Sequence, residues 1–151
     1  MRYPQLLVYE MDGLIAGMLR NLAEERKWAL REPRQAGACL RLLHRAQPAV
    51  LVIKIGTDIA REMTLLERVR WLRPEAFTIV LGDMNNPAVA TLAWHVGATY
   101  VLLPPQPRRM LPALVGSLME RSIERSRARS AQVSKPDFAN HLTPDQKGEQ
   151  S

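Results

Sequence analysis

Apolar residues fall along this chain in short unbroken blocks, separated by longer stretches in which they recur every three to four positions. Unbroken blocks read as buried strands and the longer stretches as amphipathic helices. The clearest block is Pro48 to Gly56, PAVLVIKIG. Its five consecutive apolar residues, three of them β-branched, are too short for a buried helix and fit a strand covered on both faces. Such a strand sits in the middle of a parallel sheet, where the ligand or catalytic crevice lies outside the carboxyl ends of the strands. Lys54, Ile55 and Gly56 are therefore the residues to question about function.

Taken in order, Gln5 to Glu10 is the first strand, and Asp12 and Gly13 turn the chain. Leu14, Met18 and Leu22 then recur at helical spacing up to the charged Glu24, Glu25 and Arg26. Lys27 to Arg31 is a weaker strand, followed by Pro33 and a helix whose inward stripe is Cys39, Leu40, Leu43 and Ala46. After the central strand, Ile59, Met63, Leu66 and Val69 form the next stripe, ended by Pro74. Phe77 to Leu81 is again a buried strand. Asn86-Pro87 starts a helix, since Asn caps and Pro fits the first turn, and Gly97 stops it. Thr99 to Leu103 is the fifth strand. From Arg108 a last helix carries Leu111, Leu114, Leu118 and Ile123 on one face. Strand then helix five times over, with right-handed crossovers, gives an α/β doubly wound parallel sheet with helices on both faces.

Composition refines this picture only at the edges. At 151 residues the chain suits one domain, read as 1–125, and a tail, 126–151, too poor in apolar anchors to order itself. No apolar run approaches the roughly 20 residues that span a bilayer, so no membrane role is expected. The N-terminus moves straight into strand one without a signal-peptide core, and the single cysteine, Cys39, fits a reducing cytoplasm. Cys39 lies on an inward stripe and reads as a buried small hydrophobe. The net charge of +6 is spread over most helices and the tail, a pattern of solvated helix faces more than of a nucleic-acid site.

Two phrases carry a family resemblance. Pro48-Ala-Val-Leu-Val-Ile-Lys54 is similar to the Pro-Asp-Leu-Val-Leu-Leu-Asp of response-regulator receiver (CheY-like) domains. Gly97-Ala-Thr-Tyr-Val-Leu-Leu-Pro104-Pro105 is similar to their Gly-Ala-Asp-Asp-Tyr-Leu-Val-Lys-Pro. The resemblance covers about residues 4 to 124 and implies a flavodoxin-like sheet of order 2-1-3-4-5. In that family an aspartate ending strand three accepts a phosphoryl group, and an acid pair after strand one holds Mg²⁺. A hydroxyl ending strand four and a lysine ending strand five contact the phosphoryl group. The matching positions here are Lys54 for the acceptor, Glu10 and Met11 for the acid pair, Gly82 for the hydroxyl and Pro104 for the lysine. A lysine forms no acyl phosphate and a thioether does not suit a hard cation. The position of the family's aromatic switch is Val101, with Tyr100 one residue away on the opposite face. The resemblance is thus to a degenerate pseudo-receiver with no metal, no cofactor and no catalysis.

Lys54 and Glu10 are expected within ion-pair distance, locking the crevice without metal. The alternative is a lysine that snorkels to water. Asp12, Asp58 and Asp83 follow strand ends and read as turn formers and helix caps in preference to a rebuilt metal site. His44, His95 and His141 form no ligand or nucleophile–base pattern. Trp94 sits one residue past the inward Ala93, so part of its indole is expected at the surface beside Tyr100. Aromatic residues are enriched at binding hot spots. The resemblance implies a protein partner, or a second copy, on the face of helix four, strand five and helix five. The other reading of Trp94 is that it folds over the core edge.

The leading function is a phosphorylation-independent protein-interaction module in two-component-type signal transduction. The alternatives are a nucleic-acid-associated regulator using Arg121, Arg125, Arg127, Arg129 and Lys135, an enzyme with an unfamiliar site, or a receiver phosphorylated elsewhere, at Asp58 or Asp83 first.

Overall fold

Alternation along the central strand decides the layering. In β3 (Ala49–Lys54), Val50 and Val52 face one layer of helices while Leu51 and Ile53 face the other, and every residue of the strand is buried. The computed structural model describes residues 3–45 and 48–150, with side chains up to residue 131. In chain order it shows β1 (Gln5–Tyr9), α1 (Leu14–Arg26), β2 (Ala29–Arg31), α2 (Ala36–Arg45), β3, α3 (Ile59–Leu72), β4 (Phe77–Leu81), α4 (Pro87–Val96), β5 (Tyr100–Leu102) and α5 (Leu111–Gln150). A 3₁₀ turn, Arg108–Met110, leads into α5.

All strand pairs are parallel, in the order β2-β1-β3-β4-β5. The registers Leu6↔Val50, Val52↔Ile79 and Val80↔Val101 keep like faces together across the sheet. Leu7, Leu51, Ile53, Val80 and Val101 pack under α2, α3 and α4. Leu6, Val8, Val52, Ile79 and Leu81 pack under α1 and α5. The flavodoxin-like order implied by the resemblance is therefore the one observed.

Local chemistry sets the helix ends. Asn86 Oδ1 accepts from Val89 N at 3.2 Å with Pro87 in the first turn, as the Asn-Pro pair predicts. Gly97 closes α4 at φ +122°, a backbone state that L side chains rarely adopt. Asp58 caps α3 by accepting from Arg61 N at 3.2 Å.

Two expectations need correction here. The inward stripe of α1 is Ile15, Ala16, Leu19 and Ala23, whereas Leu14 is 64% exposed and Met18 41%. Both sets have helical spacing, and the choice falls to the one whose first turn is fixed by Glu10, described below. The second concerns the start of the segment 126–151, expected to be a tail that does not order itself, where the last helix does not end. It continues through Ser126–Ala131, where Ser130 Oγ donates to Ser126 O at 3.2 Å and Arg129 lies 3.8 Å from Glu75. Arginine, alanine and glutamate are good helix formers, so a helix needs fewer apolar anchors to propagate than to start. Ala46, Lys135, His141 and the remainder of the expected tail from 132 lie outside the residues with described side chains.

Candidate functional site: the carboxyl edge of the sheet

The residues singled out at the strand ends do converge, but their pairing is not the expected one. Glu10 follows β1 and is only 5% exposed. Its two carboxylate oxygens accept from Ile15 N at 2.9 Å and Ala16 N at 2.8 Å. The N-terminus of α1, preceded by Gly13 with no side chain of its own to cap it, thus receives its carboxylate from five residues back. That commitment turns Glu10 away from Lys54.

Lys54, 9% exposed, instead directs Nζ to Asp12 Oδ2 at 3.0 Å and Asp83 Oδ2 at 3.5 Å. The expected Lys54–Glu10 pair is replaced by a Lys54–Asp12–Asp83 cluster, and Lys54 does not snorkel to water. Arg108, from the turn before α5, closes the group by donating to Asp83 and, at 3.3 Å, to Gly82 O. Four segments that share no sequence neighbourhood are thereby joined: the loop after β1, the end of β3, the loop after β4 and the turn before α5.

The electrostatics follow from these contacts. Asp12 is lowered to about 2, first by the Leu14 N–H and then by Lys54. Asp83 lies below its ordinary value chiefly through Arg108, with Lys54 adding to it. For Lys54, burial opposes the charge, but the bond to Asp12 and the charges of Asp83 and Asp12 outweigh it and lift the ammonium above its ordinary value. Asp12 accepts from Leu14 N at 3.1 Å, the local backbone bond expected of a turn aspartate, whereas the carboxylate of Asp83 is given to Lys54 and Arg108.

The other positions are less engaged. Met11 is 74% exposed. Gly82 is buried, and a Cβ there would meet Leu103 Cδ2 at 2.9 Å, so no serine or threonine fits without a shift. Pro104 is half-buried and precedes Pro105 through a cis peptide. Val101 is buried on the α4 side of the sheet. Tyr100 packs against the opposite cluster, yet at the sheet edge its ring meets Trp94 edge-on at 6.0 Å between centroids. Trp94 is 49% exposed and does not fold over the core edge. Around it α4 carries no Asp, Glu, Lys or Arg and leaves Ala88 and Leu92 exposed. Trp71 of α3 is the exposed aromatic that the sequence reading passed over, at 81%. The signal was available: Trp71 lies two residues past the inward Val69, a rotation of about 200° on a helix.

Burial pushes the Cys39 thiol up to about 12, which makes it unreactive. Arg125 lies over the Phe77 ring at 4.6 Å and Arg129 reaches Glu75, so two of the arginines offered to nucleic acid are spent on the body of the domain. Among the described residues no group of three His, Cys, Asp or Glu is placed to hold a metal ion, and no helix is long and apolar enough to cross a membrane.

Structural comparison finds the same architecture elsewhere. A CheY-like response-regulator receiver domain protein from Methanospirillum hungatei JF-1 superposes with a TM-score of 0.67 at 16% identity, covering 82% of this chain and 98% of that one. The fold is that of a receiver domain. The beryllofluoride-activated NtrC4 receiver domain dimer matches with a TM-score of 0.65 at 15% identity over 78% of this chain and 98% of that one. An adenylate cyclase from Rhodopirellula baltica matches at 0.67 and 14% over 89% of this chain and 99% of that one. Identities this low establish the shared receiver fold and nothing about activity. No protein-family model and no curated protein matches the sequence.

Proposed function

We propose that this chain is a degenerate receiver domain acting as a non-enzymatic, phosphorylation-independent protein-interaction module in two-component-type signalling in the cytoplasm. The observation that carries the reading is the Lys54 cluster. At the end of β3, where the resembled family places its phosphoacceptor aspartate, an ammonium engages Asp12 and Asp83 at 3.0 and 3.5 Å. A lysine there offers no acyl-phosphate chemistry, and its charge occupies the carboxylates that a divalent cation needs. Glu10, the surviving acid of the pair, is consumed as a helix cap.

The interaction face is the surface of α4, β5 and α5 around Trp94 and Tyr100. An uncharged helix exposing Leu92 and Trp94 supports that assignment, since aromatic anchors with apolar neighbours dominate binding energy at interfaces. The unit is the receiver-like domain of residues 1–125, which α5 extends past 125, and the remainder to 151 is an appended tail. The partner is a protein or a second copy of this chain.

The test is capture by the intact protein and by Trp94→Ala, each with and without Mg²⁺ and acetyl phosphate. The reading expects a partner, or self-association, that is indifferent to the phosphodonor and lost with Trp94→Ala. Capture that appears only with the phosphodonor overturns it.

A further inference from the structure

A cavity of about 290 Å³ opens beside the Lys54 cluster, between the loops that follow β3 and β4. Its walls are mainly Ile55, Ile59, Met84, Val89 and Leu103, with backbone at Gly56 and Gly82 and one charged residue, Asp83, at the side of the Lys54 cluster. The walls are set independently of any occupant. Ile55 N donates to Leu81 O at 2.7 Å and joins the two loops at the floor. The buried Glu62 accepts from Gly56 N at 3.1 Å and fixes one side, and the Asn86 cap on Val89 fixes the other. Small-molecule sites have this form, mostly apolar with a few placed polar groups, at the strand ends of α/β sheets.

We propose that this cavity binds a small, uncharged, largely apolar molecule of one or two fused rings carrying a hydrogen-bonding group. Size and charge both point to that class. An apolar cavity of about 150 Å³ accommodates a benzene ring, so this one has room for roughly twice that. Asp83, which lines the cavity, is matched by Arg108 and Lys54, and the other carboxylate beside it, Glu62, is buried behind the Gly56 amide, so no net positive field favours an anion. Thr57 and the amide of Asn86, whose oxygen is already used on Val89, supply the polar contacts. Lys54 does not itself line the cavity, so binding there is independent of whether the domain handles phosphate.

The probe is indole, titrated into the full chain and followed by amide resonances, with indole-3-acetate as the charged counterpart. Saturable shifts at Gly56, Gly82, Asn86 and Val89 are expected, with the anion at least about tenfold weaker. Ile59→Phe, which fills the cavity from its rim, should abolish the shifts. Absence of saturable shifts in the unmodified protein overturns the proposal without reference to any variant. So do shifts centred on Trp71, equal binding of the anion, or undiminished binding by a folded Ile59→Phe protein.

Discussion

Replacing Lys54 by methionine keeps most of the unbranched side chain and removes the ammonium with its bond to Asp12, so it isolates the cluster at the strand ends. The gross attraction between Lys54 and Asp83 at 3.5 Å is about 1 kcal/mol in water and about 5 kcal/mol at an effective dielectric near 20. Asp83 is mostly exposed, which puts the pair near the lower value, and desolvation of the ammonium offsets part of it. Lys54→Met should therefore cost at most about 1 kcal/mol at neutral pH, roughly 3 °C in melting temperature. The sharper signature is in pH. Asp12, at about 2 folded against an ordinary 3.8, and Asp83, also lowered, contribute stability that is present above the unfolded value and lost as pH falls through the folded one. Lys54 is raised above 10.5, so its contribution is present below that value and lost as pH rises through the folded one. Urea unfolding of both proteins across this range should show the gap open between about pH 4 and pH 10 and close outside it. Without its charge the loop after β4 loses one of two tethers, and amide exchange at Asp83 and Met84 should quicken. A gap undiminished at about pH 2, or unchanged exchange at those amides, refutes the assignment of Lys54 as the hub.

Two further outcomes follow from single residues. Glu62 is buried with its carboxyl above the ordinary range, chiefly from desolvation, and it still accepts from Gly56 N. An acid raised in this way costs stability above its folded value, so Glu62→Gln, which keeps the acceptor oxygen, should be more stable than the parent at pH 7. That margin should shrink as pH falls toward 4.5, as chemical denaturation at several pH values would register. Gly97→Ala should destabilise by about 2 kcal/mol, because φ is +122° and the new Cβ would lie 2.8 Å from Arg70 Cδ. A calorimetric loss well under about 1 kcal/mol would mean that the α4 terminus relaxes freely.

The sheet was legible because its strands are buried on both faces: the apolar blocks at β3 and β4 leave little choice of period, and Phe77–Leu81 agrees to the residue. The phase of α1 was not. Leu14, Met18 and Leu22 repeat as well as Ile15, Leu19 and Ala23 do, and the decision is made by the Glu10 carboxylate binding Ile15 N and Ala16 N. The same bond explains the misassigned partner of Lys54. Sequence adjacency of strand ends brings Glu10, Asp12 and Lys54 into one crevice, but Glu10 folds back onto its own helix and only Asp12 remains free to face the lysine. Asp83 and Arg108 are 25 positions apart, and nothing local in either stretch marks them as a pair. The surface placement of Trp94 was readable from its offset from Ala93. The same offset argument applied to α3 would have found Trp71.

That the domain works without phosphoryl transfer is tested most directly by intact-mass spectrometry after incubation with acetyl phosphate and Mg²⁺. The expected result is an unchanged mass in the parent protein, with Lys54 holding Asp12 and Asp83. A stoichiometric single phosphoryl adduct, stable to acid and labile to base, would contradict it and place the acceptor on one of the aspartates.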